Sequence, residues 1–454
     1  MSSTLEVHVE PLTRLEGHGK ILVEYKEGKL ENVQLNVIEP PRFFEKLLVD
    51  KPGEEAPRIS ERICGVCPVA HHLAAVKAIE DAWDVKPSEP AVLLRKLLYA
   101  GQFIQSHALH LSVFALPDLL LRLREKNLIG LHKRNPKLVK AAIALQEYGA
   151  NLKEAIGGRA IHPVAAIPGG MSKPLIAATK RKLLQNYDEI FRNTIELADI
   201  YFEIFSKRGT FVKEFPPNKT FYLAITHDGN FETYGGPVRV VNSNGEVEFE
   251  FQPREYLSNI AEKTVKHSYV KYPFLKKIGY PKGLYRVGPL ARFNVAETIS
   301  TPKAREYWLK LQETFGKPIH YPLVYNLARV VELIHAVELS KELLLNNKIT
   351  SGRIRREVDP KEGSGVGIVE APRGTLIHHY VTDKDGIITR ANLIVATGQN
   401  IPTIEYGVKT LAEKLKTPIL KGKTKEAQWK FEVLVRAYDP CISCATHLVE
   451  IRVK

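Results

Sequence analysis

The apolar positions of this chain change their period several times, and the changes divide it into strands and helices. Near the start the period is two. His18 to Tyr25 and Leu30 to Glu39 read as strands joined by a hairpin turn at Lys26-Glu27-Gly28-Lys29. After residue 67 the period becomes helical, with His71, Ala75, Ile79 and Trp83 near one face. Ser88-Glu89-Pro90 then predicts the cap of a long apolar helix running to about Leu116, where Pro117 breaks or kinks it. Further helical stretches are expected from Pro136 to Ala155 and from Ser172 to about Lys207. Residues 220 to 252 return to strand character, and Val238 to Phe251 alternates on both sides of Asn244-Gly245. This segment, about 220–255, is expected to be a peripheral β insertion. Helices resume at Pro302 to Thr314 and Leu323 to Asn346. The last part is mixed: a Gly-rich turn at 363–367, strands near Thr375 to Val381 and Ile388 to Ala396, and a helix at Thr403 to Lys414. With no internal repeat or clear linker, the pattern predicts a single domain over residues 1–454, mainly α with small β-sheets (α+β).

Composition narrows the setting. The chain has 454 residues, long enough for a large core, with 44 % hydrophobic and 26 % charged residues. No run approaches the roughly 20 apolar residues that span a bilayer. The first residues, Met1 to His8, carry neither the basic flank nor the apolar run of a signal peptide. A cytoplasmic protein is expected, with no membrane partner. The net charge of +14 invites a nucleic-acid partner, but the basic residues are interleaved with Glu and Asp. A solvated basic surface, or one facing an acidic partner, fits that pattern better, and no nucleic acid is expected. The densest basic stretch, Lys416 to Lys425, reads as a surface loop. Abundant Lys, Glu and Arg beside only two Met fit a thermophile.

Cysteine usage changes the picture most. There are four in all, in two C-x-x-C pairs: Cys64 and Cys67, then Cys441 and Cys444. A disulfide framework does not suit a chain of this size and setting. Two such pairs supply four soft sulfur ligands for a metal. A zinc ribbon keeps its pairs within a small module, whereas these lie 377 residues apart. A site closed over so long a loop is an expensive staple, which argues for function. Structural zinc and two separate redox dithiols remain the alternatives on spacing alone. A further Gly-rich run, Gly363-Ser-Gly365-Val-Gly367, lacks the strand–loop–helix context and the lysine of a phosphate loop, so it reads as a flexible turn.

Around the pairs stand Arg62-Ile-Cys64-Gly-Val-Cys67 with His71, and Asp439-Pro-Cys441-Ile-Ser-Cys444 with His447. Upstream lies Arg14-Leu-Glu16-Gly-His18, and between them Glu370-Ala-Pro372-Arg373-Gly374. Together and in this order, these four motifs resemble those of the large subunit of nickel–iron hydrogenases, most like the soluble multisubunit class of archaea. The similarity runs essentially end to end and is weakest across 220–290. It implies that family's large-subunit fold and reversible heterolytic cleavage of H2 to protons and electrons. By resemblance, Cys64 and Cys441 are terminal thiolates on nickel, while Cys67 and Cys444 bridge nickel and an iron that carries carbon monoxide and cyanide. Cys441 is then the first proton acceptor and passes its proton to Glu16. Arg373 stands over the open metal position as a fixed cation, with Asp439 paired to it or beside it. Pro372 walls the diatomic ligands, Thr397 hydrogen-bonds a cyanide, and His71 hydrogen-bonds a bridging sulfur. Without the family, Glu16 is a strand residue ion-paired with Arg14 at the surface, and Arg373 an exposed turn residue.

The resemblance also implies a second ion, magnesium or another hard divalent cation, held by Glu45, the Leu393 carbonyl and His447. Two features depart from the family pattern or test it. Ser106 stands where many relatives carry an aspartate, and residues 448–454 follow His447 as an expected cleavable tail. With no further cysteines for iron–sulfur clusters, electrons must leave through an iron–sulfur small subunit. Flavin-bearing diaphorase subunits, a maturation peptidase and nickel chaperones are the other implied partners. NADP is the expected carrier, with deazaflavin-linked or heterodisulfide-reductase-linked enzymes as alternatives. A non-catalytic scaffold derived from a hydrogenase is the alternative of another class.

Overall fold

The computed structural model describes residues 4–37, 39, 43–121 and 125–446. His447 and the tail 448–454 lie outside them.

Three antiparallel strands open the chain: β1 (Thr4–Val9), β2 (Gly19–Lys26) and β3 (Lys29–Val37). Only the second pair was legible in the sequence. Its turn is Glu27-Gly28, with both residues at positive φ (51° and 71°), the backbone that a two-residue hairpin of matching twist demands. The helical body consists chiefly of α1 (Pro68–Ala82), α2 (Glu89–Leu109), α3 (Pro136–Gly157), α4 (Tyr187–Lys207), α5 (Pro302–Phe315), α6 (Tyr325–Leu345), α7 (Ala396–Lys414) and α8 (Thr424–Ala437). α2 packs along α3 and α6, and α6 along α4. The stretch expected as one helix from Ser172 is two, Ala177–Gln185 and α4. Among the described residues no helix is long and apolar enough to cross a membrane.

Two corrections bear on the site. Ser88 occupies the N-cap position of α2, but its hydroxyl donates to the Arg353 carbonyl instead of capping the helix. The helix also does not stop at Pro117. It opens into a π-helical turn, His110–Ala115, and resumes as Leu116–Leu120. Pro117 then sits in the first turn of the resumed segment, where its ring and fixed φ are tolerated.

The second sheet region, β4 (Phe221–His227), β5 (Val238–Val241) and β6 (Val247–Phe251), contains the hairpin around Asn244-Gly245. Leu223, Ile225, Val238 and Val240 share a buried cluster with Ile368, Ile377 and Ile394 of a third, antiparallel sheet. That sheet is β7 (Gly363–Ala371), β8 (Gly374–Thr382) and β9 (Ile388–Ile394). The segment expected to be peripheral is thus packed against the sheet that carries Arg373.

The Gly-rich run expected to be a flexible turn is the first half of strand β7. Gly363, Gly365 and Gly367 lie on the face toward α1. A Cβ there would meet the carbonyl oxygens of Ala82, Ala78 and Ala74 at 2.0, 2.1 and 2.0 Å. Glycines at period two face alanines at period four, so strand and helix backbones touch directly. α1 is accordingly buried around most of its circumference, not on the single predicted face. This contact fixes the helix that begins just after Cys67 against the strand that ends just before Pro372.

Candidate metal centre

The two ends of the chain meet in one place. Cys64 and Cys67 flank a short loop entering α1, and Cys441 and Cys444 flank the first turn of the short helix Ile442–Ala445. All four are buried, and their sulfurs lie within 4.8 Å of one another. Cys64 Sγ is 3.2 Å from Cys441 Sγ, Cys67 Sγ is 3.5 Å from Cys444 Sγ, and the last two cysteines are 2.8 Å apart. The backbone N–H groups of Val66 and Cys67 donate to Cys64 Sγ at 3.3 and 3.2 Å, which favours its thiolate.

Glu16 reaches the same cluster from the N-terminal segment. Its Oε2 lies 3.1 Å from Cys441 Sγ and accepts the Ser443 N–H at 3.0 Å. Its own backbone carbonyl accepts the Ile442 N–H at 3.0 Å, a parallel bridge between the two chain ends. Gly17 permits this approach: at φ +83°, a Cβ would lie 2.8 Å from that of Ile442. Glu16 does not pair with Arg14, which turns away to Asp118 and the Phe114 carbonyl. Thr397, near the start of α7, accepts the Cys441 N–H on its hydroxyl at 2.9 Å.

Arg373 is one of two residues, with Pro372, in the tight turn between β7 and β8, where Ala371 pairs with Gly374. The turn is buried, and Arg373 is 2 % exposed. Its Nε donates to the Asp439 carbonyl at 2.9 Å, Nη1 to Ser106 Oγ at 3.0 Å, and Nη2 lies 3.0 Å from Asp439 Oδ2. Asp439, itself at φ 56°, meets His110 Nδ1 at 3.0 Å on its other oxygen. Behind the turn, Arg292 donates to the carbonyls of Ala371 and Pro372 at 2.9 and 3.2 Å. Ser106 thus meets Arg373 as a neutral partner. Arg292 and His110 escaped the sequence reading. His110 had a usable signal, since it lies one helical turn beyond Ser106 on the same face.

The charges explain what such a cluster requires. Burial pushes the Cys441 and Cys444 thiols well above their usual range. Burial opposes ionisation at Cys64 too, but the neighbouring thiols and the Arg373 guanidinium outweigh it and hold Cys64 well below. Asp439 is likewise held far below the carboxylate range, Arg373 and His110 overcoming its burial. Four thiolates cannot share so small and dry a volume unless cations balance them. The donor set therefore fits soft, thiophilic metal ions, with Arg373 as one fixed positive neighbour.

Of the residues expected to hold a second ion, Glu45 and Leu393 lie together. Glu45 Oε1 accepts the Leu393 N–H at 2.6 Å, which brings the carboxylate to β9. Burial raises the Glu45 carboxyl to about 8, so without a cation it is held protonated at neutral pH. His71, on α1, meets His378 at 3.1 Å, and His378 Nδ1 meets Tyr380 OH at 2.7 Å.

Comparison with known proteins agrees with this geometry. Residues 42–118 and 224–447 match the family model described as nickel-dependent hydrogenase, and residues 6–39 match one described as HoxL-like. The chain belongs to the nickel-dependent hydrogenase family, as a catalytic large subunit, and is an oxidoreductase. It is 44 % identical over 416 residues to one chain of the vhu F420-non-reducing hydrogenase of Methanocaldococcus jannaschii, covering 90 % of this chain and 99 % of that one. It is 34 % identical to the beta chain of the NAD-reducing hydrogenase HoxS of Cupriavidus necator, over 97 % and 94 % of the two chains. A crystal structure of an NAD+-reducing [NiFe]-hydrogenase in the H2-reduced state superposes with a TM-score of 0.92 at 35 % identity, covering 98 % of this chain and all of that one.

Proposed function

We propose that the thiols and carboxylate gathered here carry out the proton chemistry of H2 cleavage, with Glu16 as the first protein acceptor beyond sulfur. The observation that carries this reading is the 3.1 Å contact between Cys441 Sγ and Glu16 Oε2 inside a buried four-sulfur cluster. Cys64 and Cys441 would hold nickel, and Cys67 and Cys444 would bridge it to an iron bearing carbon monoxide and cyanide. When bound, that group supplies the site at which H2 is split. Cys441 Sγ takes the proton and hands it to Glu16 Oε2, whose charge the Ser443 N–H steadies between transfers. Arg373 stays charged throughout and presents a fixed donor to the open face of the site, with Asp439 and Ser106 setting its orientation. Thr397 accepts from the Cys441 N–H, which leaves its hydroxyl proton for a cyanide nitrogen, while Pro372 bounds the same side. His71 is proposed to orient a bridging sulfur, and the β insertion to be part of the single domain.

Glu45, the Leu393 carbonyl and His447 would hold magnesium; the support is a half-buried carboxylate brought against the backbone of Leu393 and raised by burial, which a bound cation would ionise. Electrons leave through an iron–sulfur small subunit, then flavin-bearing subunits, to a soluble carrier in the cytoplasm. NADP is the carrier proposed. The name of the methanogen relative favours an acceptor other than F420, and that of the bacterial relative favours a nicotinamide. Assays of H2 oxidation with NADP, NAD, F420 and viologen separate these. A maturation peptidase is proposed to cut after His447; intact mass of active enzyme retaining Lys454 would refute it.

Elemental analysis of the purified complex should give one nickel per large subunit with iron in excess of it, the partner's clusters supplying the surplus, and infrared bands from carbon monoxide and cyanide. Zinc in their place would overturn the reading. In Glu16→Gln, metal content should be unchanged, while HD formation from D2 in ordinary water falls by on the order of a hundredfold or more. Unchanged HD formation would remove Glu16 from the relay.

A further inference from the structure

A second buried carboxylate lies outside the cluster and touches none of the sulfurs. Asp118 follows the π-helical turn in the apolar run Leu116-Pro-Asp-Leu-Leu, yet it is 5 % exposed and carries more than one cation. Its Oδ1 accepts Arg14 Nη2 at 2.6 Å and Trp429 Nε1 at 3.1 Å, with Lys126 Nζ at 3.9 Å, and its Oδ2 accepts Arg436 Nη1. Lys126 also stands 3.3 Å above the Trp429 ring.

The partners matter because of what each is attached to. Arg14 is two residues before Glu16, at a positive φ of 55°, in a segment outside the regular strands that reaches the C-terminal cysteines by the single backbone bridge at Glu16. Its other terminal nitrogen donates to the Phe114 carbonyl at 2.7 Å, a group of the π turn that also supplies His110 to Asp439. Arg436 closes α8 three residues before Asp439 and donates twice to the Thr13 carbonyl, at 3.1 and 3.0 Å. Glu432, one turn earlier, accepts both the N–H and the hydroxyl of Thr13, at 3.2 and 2.9 Å. One carboxylate therefore ties together the segment that ends in Glu16, the helix that leads to Cys441, and the π turn behind Arg373.

We propose that Asp118 is a positioning residue for proton transfer, holding Arg14 so that the Glu16 carboxylate stays within reach of Cys441 Sγ. This rests on the reading that Glu16 accepts that proton. Proton transfer falls off over a fraction of an ångström, so a segment at strained φ needs an anchor as firm as a partly buried guanidinium bound at both terminal nitrogens. Asp118 bonds neither the loop into α1 nor the short helix Ile442–Ala445 that carry the sulfurs; its one link toward Cys441 runs through Arg436, which keeps its own bonds to the Thr13 carbonyl. Loss of Asp118 should therefore separate cleavage of H2 from release of its proton to water.

The test uses the assembled enzyme carrying Asp118→Asn and Asp118→Glu. Conversion of para- to ortho-H2 reads splitting and recombination at the centre, and HD formation from D2 reads exchange of the proton with solvent. Asp118→Asn should keep nickel and iron at the wild-type ratio and retain para–ortho conversion, while HD formation drops about tenfold. Asp118→Glu should recover much of that drop. A wild-type ratio of the two activities in fully metallated Asp118→Asn would overturn the proposal, as would both activities falling together in the two variants. If Asp118→Asn does not assemble, Arg14→Lys carries the same test, because a lysine replaces the two-nitrogen fork on Asp118 and the Phe114 carbonyl with a single donor atom; an unchanged ratio there refutes the anchor. Glu16→Gln is the control. Loss of HD formation in it, with none in the Asp118 variants, would sink only the anchor, whereas full HD formation in Glu16→Gln would sink the relay itself.

Discussion

Arg373 meets its surroundings through three nitrogens, two on Asp439 and one on Ser106, and only a guanidinium has that fork. Lysine in its place keeps the charge but holds a single point of contact and a looser tip. In Arg373→Lys, kcat should fall on the order of a hundredfold with KM little changed, and nickel content should stay at the wild-type level. A KM effect without a kcat effect would make the residue a binder of substrate gas, not a stabiliser of its cleavage. At this scale the sequence disclosed the residues whose type and spacing are unusual. The cysteine pairs stood out because nothing else in the chain contains sulfur of that kind. Glu16 and Arg373 did not stand out, since a carboxylate after a strand and an arginine in a turn are ordinary surface features. Arg373 does occupy a turn; what spacing could not convey is that the turn is buried. Asp118 left a faint trace, a lone charge inside an apolar run, and such a residue is seldom buried without partners.

The elements were mostly legible, and the exceptions share a cause. Periodicity shows which side of an element avoids water, but it does not show how close two backbones come. The glycines of β7 resembled a turn because glycine is usual there, whereas they serve close packing on α1. That contact makes a sharp expectation. In Gly365→Ala the new methyl carbon would lie 2.1 Å from both the Ala78 carbonyl oxygen and the Ala82 nitrogen. The overlap involves backbone on both sides, so a cost of about 3 kcal/mol is expected. α1 also carries Cys67 at its N-cap, so the nickel content should fall along with the denaturation midpoint. A stable Gly365→Ala with full metal content would show that strand and helix can separate freely. The π turn escaped in the same way, because Pro117 announces a break while the local widening that absorbs it has no sequence mark of its own.

The whole molecule holds several charges and imidazoles away from water, and this sets its response to acid. Burial lowers His107 and His335 to about 4 from 6.5. Each therefore takes up its proton near pH 6.5 when unfolded but only near pH 4 when folded. Between those values the unfolded chain binds the extra protons, so acid favours unfolding. Glu332 is buried beside both. Burial alone would raise it, but Arg292 and His107 hold it down to about 2 from 4.5, which adds to the loss below pH 4.5. The contribution of these three groups to the denaturation midpoint should thus be flat above about pH 6.5 and fall progressively toward pH 4. A midpoint constant from pH 7 to pH 4 would contradict the buried neutral imidazoles. Fold class followed from patterning and the meeting of the two cysteine pairs from their number and chemistry, but the place of Glu16 and Arg373 beside them came only from the family resemblance, because nothing local encodes which distant segments meet.

That convergence also has a schedule. A ribosome adding about 5–20 residues per second delivers the first pair of sulfurs roughly 20 to 75 s before the second. During that interval Cys64 and Cys67 are a bare dithiol on a growing chain, open to any thiophilic ion or oxidant nearby. Half a binding site is thus exposed before its other half exists, so the order in which metals arrive is as much a part of this protein's making as its sequence.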